Sequence, residues 1–477
     1  MIAMTMTVSY SLLRSQTAQL KSSVGSELRL DAREAALSGM SAALRKMNQT
    51  TWGGADSTFT GSLSNTQTYS VTYTTGDDAL LTTDANAAEW PFRVTITATG
   101  YAADAAVSTV PTTYQVQAVA TLIPKGASPN PTPWSTMQSY VLYQTGTDDN
   151  TLQMPFRVEG AVRLQGSMTS FCATYPSPTA CRSQYLTDLN VMRTKGYGDH
   201  RPFTGPISMP TSSTSSTIRN LLTSNLGVTV NNMSSSSSSG WSAPQNVSSY
   251  QLYPGGRSYT IPTLATSVSG VSLQPDPRTN PAGMFFRNGD VTLGNNTTIV
   301  GTVISSGKVK LTGTNVSLQA YSLPPLNGQS TNYQLPAVVA TSDIVLGDGA
   351  TSTVSGTVAT FTKFSASAGT QSSQLDLQGR LICRQMEILS RDEWSLGSFW
   401  WSLAWNWFNN QENDHDGQKY VPPYMTGWGM DYQPKIKISA ALTPTNQQWF
   451  TPGTPLYAVG TGDGGLRWSV MRMKENP

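Results

Sequence analysis

Chemistry in this 477-residue chain must be sought among few reactive side chains. Its two histidines, His200 and His415, sit in a Pro/Gly-rich stretch and an acidic turn, and neither has the spacing of a metal site or a nucleophile's base. Asp290 and Asp343 occupy equivalent places in a duplicated unit, so as candidates for a carboxylate pair acting on glycans they compete with simple turn capping. Glu412, Asp414 and Asp416 alternate before Gly417, as at the start of a calcium loop; Pro423 stands where the closing glutamate belongs, which makes them a weak Ca²⁺ candidate. Cys172 and Cys181 flank a short Pro-containing loop and would close a disulfide in an oxidising compartment, leaving Cys383 over; three unpaired thiols are the equal alternative. Trp400, Trp401, Trp405 and Trp407 crowd one segment, either as a sugar-stacking patch or as the apolar cover of a domain end. No glycine-rich phosphate loop, GxSxG elbow or CxxC pair is present. The sequence therefore predicts no cofactor and no catalytic residue.

Composition points the same way. Charged residues make up 12% of the chain and the net charge is +2, which gives no electrostatic footprint for nucleic acid. Small polar residues and glycine fill the space, as in β-rich surface proteins.

The elements that carry these residues start with one long helix. Leu13, Leu20, Val24, Leu28 and Ala35 recur at three-, four- and seven-residue steps on one face. Beyond Asp31 the apolar stripe changes sides, to Ala36, Leu37, Met40, Ala43, Leu44 and Met47. Without an interrupting proline the helix would run roughly 65 Å, too long for one small domain to cover. Leu13, Leu20, Val24 and Leu28 are thus the candidate assembly face, toward sister helices or lipid. Met1 to Leu13 carries no charge and reads as the tail of a span that begins upstream.

Alternating runs follow: Tyr69, Val71 and Tyr73; Phe92, Val94, Ile96 and Ala98; then Tyr114, Val116, Ala118, Ala120 and Leu122. They predict a small antiparallel sheet laid on the upper helix face, with a linker over 124–133. The segment "SSVGSELRLDAREAALSGMSAAL" followed by such a sheet resembles the N-terminal part of type IV pilin-like proteins, especially large minor pilins. That resemblance implies a helix that bundles with other pilin-like subunits in a filament, membrane residence before assembly, and an extracellular or periplasmic location.

A second pattern begins near Phe156 and returns as "NGDVTLGNNTTIVGTVISSGKVKLTGTNVSL", then as "DIVLGDGATSTVSGTV". Short strands at Val291, Ile299, Val303, Val309 and Val316 alternate with Gly or Asn corners, which predicts a parallel β-helix whose rungs pair with the next. This rung pattern resembles the solenoid of large pilin-like surface proteins and, more distantly, of bactofilins. The expected fold is α+β and mostly β. Its expected divisions are a helix over 1–50, an antiparallel sheet over 51–135, first rungs over 136–167, a Ser/Thr-rich insertion over 168–281, the β-solenoid over 282–390 and a Trp-rich cap over 391–477. The expected function is that of a non-enzymatic envelope structural protein; a surface adhesin binding glycans through its tryptophans and a β-helix polysaccharide enzyme are the alternatives.

Overall fold

A computed structural model of the chain describes residues 2–49, 52–103, 110–123, 137–148, 150–152, 156–166, 203–211, 219–225, 227–233, 243–323, 333–368, 373–391, 435–441, 453–457 and 467–476, with isolated positions at 216, 414–415, 418–419, 446–447 and 449. Helix α1 (Ile2–Met47) is continuous over 46 residues, about 69 Å at 1.5 Å per residue. Its upper third lies across a five-stranded antiparallel sheet. In order across that sheet stand β1 (Thr58–Ser62), β2 (Gln67–Thr75), β3 (Arg93–Ala102), β4 (Thr112–Ile123) and the C-terminal strand Arg467–Asn476.

Alternation decides which side of each strand meets the helix. Val71, Tyr73, Val94, Ile96, Ala98, Val116, Ala118, Ala120 and Leu122 share a core with Ala32, Ala36, Met40, Ala43 and Met47. The helix side of this contact is mostly alanine, which lets the backbones come close. At Gly100 on β3 the approach is closest: a Cβ there would collide with the Ala32 carbonyl and the Ala36 amide. Tyr73 crosses the same contact and donates from its hydroxyl to the Ala43 carbonyl at 3.0 Å.

The rest of the described chain is dominated by a parallel β-helix with three strand faces. One face stacks Met284–Arg287, Thr302–Ser305 and Val338–Ala340 in register. A second stacks Val291–Leu293, Val309–Leu311 and Ile344–Leu346, and a third Thr298–Val300, Val316–Gln319 and the start of Thr351–Thr360. Phe285, Val303, Val338, Val291, Leu293, Val309, Ile299 and Leu318 point inward into one continuous core. Asn296 and Asn315 take left-handed backbone at φ 53° and 59°, and Gly349 does so at 68° one rung on. Here asparagine's tolerance of positive φ turns the corner, and the Asn315 side-chain amide donates to Asn296 Oδ1 at 3.1 Å.

Two assignments from sequence need correction. Within 168–281, read as an insertion, Ile207–Met209 pairs in parallel with Val162–Arg163, Val230–Asn232 pairs with Ile207–Met209, and Ser267–Val268 and Ser272–Leu273 join the other end of the stack. Such two- and three-residue strands hold too few apolar positions to leave a periodic signal. Within 391–477, read as a cap, Lys435–Ser439 lies inside the stack between Gln374–Gln378 and Phe156–Glu159, while Arg467–Asn476 returns to the N-terminal sheet against β4. Alternation reveals a strand but not its partner. The solenoid is thus an insertion between the fourth and fifth strands of the head.

The head is fixed broadside to the solenoid. On the 284–287, 302–305 and 338–340 face the outward side chains Met284, Phe286, Ile304 and Val339 are also buried, in the core that includes Tyr250, Tyr253, Phe92 and Trp468. Strands buried on both sides read as continuous apolar runs, as "MFF" and "VV" do here.

Gly100→Ala should therefore lower the thermal midpoint by an amount equivalent to about 1–3 kcal/mol, because backbone atoms have nowhere to yield. Gly25→Ala, in open space on the same helix, should instead raise stability by roughly 0.5–1 kcal/mol. Differential scanning calorimetry of the two variants checks both signs.

Candidate assembly surface

Below its seat on the sheet, the described side chains of α1 from residue 9 onward are mostly in solvent. Leu13 and Leu20 are 62% and 65% exposed, and Tyr10, Leu12 and Leu30 are exposed too. Val24 is half-buried, and Leu28 packs against the head core at the edge of the seat. Of the four residues placed on one face from sequence, two are thus free for a partner and one already touches the head. Tyr10 continues that stripe one turn below Leu13, whereas Leu12 and Leu30 fall off it and only their exposure marks them. Arg14, Lys21, Glu27 and Arg29 interleave with the apolar groups, and no helix among the described residues is long and apolar enough to cross a membrane.

The junction where the rod leaves the head is held by charge. Arg33 donates from Nε to Glu475 Oε2 at 2.7 Å and from Nη2 to Oε1 at 2.8 Å, the two-pronged geometry that suits guanidinium and carboxylate. Tyr114 adds its hydroxyl to Glu475 Oε2 at 2.6 Å. The hydrogen bonds from Arg33, and next those from Tyr114, hold the Glu475 carboxyl down at about 2. One carboxylate therefore joins the helix, β4 and the last strand. On the sheet's other side Asp77, almost fully buried, accepts from Arg93 at 3.1 Å and also pairs with Arg472 of the same last strand. Nothing local in the sequence relates Arg33 to Glu475, 442 positions apart.

The other candidates divide between described and undescribed residues. Trp400, Trp401, Trp405, Trp407, Glu412, Asp416, Cys172, Cys181 and His200 lie outside the described residues. Asp414 and His415 form a two-residue strand against Gln418–Lys419. Cys383 is a buried free thiol, its pKa pushed up to about 12 by burial. Among the described residues no three metal-ligating side chains come together.

Asp290 and Asp343 do meet on one face, but through lysines. Lys308 Nζ stands 2.8 Å from Asp343 Oδ2 and Lys310 Nζ 3.3 Å from Asp290 Oδ2. The backbone amide of Lys308 donates to Asp290, the main reason that its carboxyl lies below the usual range. Burial raises the Asp343 carboxyl, but bonds from Lys308 and Thr362 outweigh it and the net direction is down. Neither carboxyl is thereby held protonated, as a general acid must be.

These features define a protruding helix seated on a small antiparallel head, into which a parallel β-helix is inserted. No protein-family model matches the chain, and no curated protein matches it. Among solved structures, the crystal structure of the competence-associated pilin ComZ from Thermus thermophilus aligns over 94% of this chain and 97% of that one, at 9% identity and a TM-score of 0.27. So low a score carries no argument about this chain, whose functional reading rests on its own geometry.

The Glu475 clasp gives a pH signature. A carboxylate whose folded pKa is depressed contributes stability above its ordinary value of 4.5 and loses that contribution as pH falls through the folded value of about 2. Thermal midpoints of wild type and Glu475→Gln, followed from pH 7 to pH 2, should converge across that window and stay apart above it.

Proposed function

We propose that this chain is a non-enzymatic structural protein of the cell envelope, a pilin-like subunit that enters a type IV pilus or related filament through its N-terminal helix and displays the solenoid outside it. The carrying observation is the helix, seated on the head along about one third of its length and mostly exposed over the described side chains from residue 9 to residue 30, with Leu13 and Leu20 in solvent. A lone helix in water gains little from its own propensity, and exposed leucines favour burial at about 25 cal/mol for each Å² covered, so this surface calls for neighbours. Helices of like subunits, with lipid before assembly, are the partners we assign to it.

The inserted solenoid fits a display role. Its rungs continue one another's backbone hydrogen bonds, which makes a stiff body, and most described outward residues of its third face, among them Thr298, Ser317, Thr353, Gln319 and Gln378, are polar. Ion pairing of Asp290 and Asp343 favours this reading over a glycan-active enzyme.

Leu20→Lys tests the proposal. The variant should fold, since the site is exposed, yet be lost from filaments sheared off the producing cells while remaining detectable in the cell fraction. Recovery of wild-type amounts in the sheared filaments, or wild type absent from them, overturns it.

A further inference from the structure

The rungs of the solenoid are not stacked in chain order. From Met284 onward each strand lies on one that the chain has just made, up to Gln374–Cys383 and Gln385–Arg391. The next layer, however, comes from much earlier in the sequence. Leu142–Gln144 lies on Leu381–Cys383, Thr151–Leu152 on Glu387–Ile388, and Phe156–Glu159 on Ile436–Ser439. Val162–Arg163 and Ile207–Met209 then continue outward. At this one plane the stack joins segments some 236 residues apart, so chain connection cannot set the register as it does between successive rungs.

Side chains supply it instead. Gln144 donates from Nε2 to the Arg384 and Asp148 carbonyls, both at 3.0 Å. Its Oε1 accepts from Asn150 Nδ2 at 2.8 Å and from the Gly166 amide at 3.1 Å. Asn150 Oδ1 accepts the Met386 amide at 2.9 Å. Gln144 and Asn150 are 1% and 0% exposed. At the rim Arg384 pairs with Asp148 at 2.6 Å, Arg380 donates to the Gln138 carbonyl at 2.9 Å, and Lys437 stands 3.6 Å from Glu159. Two buried amides bridging one interface make any shifted register costly, because each would lose its partners without gaining water. The strand contact is of ordinary size, three, two and four residue pairs on the three faces, against four, three and three between the rung that starts at Met284 and the next, so the side-chain network and the missing chain connection set this plane apart.

We infer that this plane is a latched joint: the rungs beginning at Leu142 separate from the Leu381–Arg391 layer as a unit while the rest of the stack stays folded, and the Gln144–Asn150 network is the latch. Opening of a contiguous unit below the global unfolding free energy is expected where a polar lock, and no directly connecting chain, holds that unit to its neighbours. Cys383 reports on it. The thiol is buried in the stack core with Gln144 opposite in register, so it meets solvent when the joint parts.

The test uses the full chain carrying Cys172→Ser and Cys181→Ser, leaving Cys383 as its one thiol, and follows maleimide labelling under native conditions. Asn150→Ala should accelerate labelling roughly tenfold or more, as expected for a buried partner left unpaired. Val303→Ala, in the core several rungs away, should lower the thermal midpoint yet leave the labelling rate unchanged. Equal acceleration by Val303→Ala would mean that Cys383 is reached only through global unfolding and would overturn the inference. So would an unchanged rate in Asn150→Ala. Should Asn150→Ala fail to fold, Arg384→Gln, which removes only the rim pair to Asp148, should give a smaller acceleration in the same direction, and no change there refutes the latch.

Discussion

The pairing of the last strand, Arg467–Asn476, with β4 constrains everything that the chain makes between them. A sheet that takes its fifth strand from the far end of the sequence closes only if the intervening solenoid starts and finishes beside it. That geometric demand explains why the chain leaves the middle of the stack for one end, resumes at the other end and returns to the middle, why the head and the solenoid share a broad apolar contact, and why strong ionic contacts gather on the closing strand. Glu475 with Arg33 and Tyr114 on one side of the sheet, and Arg472 with Asp77 on the other, fix a strand that local sequence alone would leave as an unpinned edge.

Much of the architecture was legible because it is written in short-range patterns. The α1 stripe beyond Asp31 and the alternation of Val94, Ile96 and Ala98 report local periods that burial enforces, and the Gly/Asn punctuation of the rungs reports the left-handed corners. What stayed hidden depends on distance. Val230–Asn232 and Ile207–Met209 are too short and too polar to announce themselves, and Lys435–Ser439 reads as a strand without saying that it slots between Gln374–Gln378 and Phe156–Glu159. The candidate surface was half legible. Leu13 and Leu20 followed from spacing, whereas the seating of Leu28 depends on where the sheet ends, and Glu475 has no sequence neighbour that points to Arg33.

Two kinds of polar residue serve different purposes in this fold. Exposed ones at solenoid corners, such as Asn296 and Asn315, accept backbone conformations that other residues avoid. Buried ones, such as Gln144, Asn150 and Asp77, tie together pieces that the chain brings from far apart, where a purely apolar contact would tolerate sliding. In both, side-chain chemistry specifies position.

The charged row on the second face has a physical consequence of its own. Asp290, Lys308, Lys310, Asp343, Lys363 and Glu387 pair among themselves along successive rungs. Opposite charges a few ångströms apart cancel at range, so beyond roughly one Debye length of about 8 Å in physiological salt this flank casts almost no field. A visiting molecule is neither drawn in nor turned away by it, and contact there is governed by shape at touching distance, indifferent to the ionic strength of the surroundings.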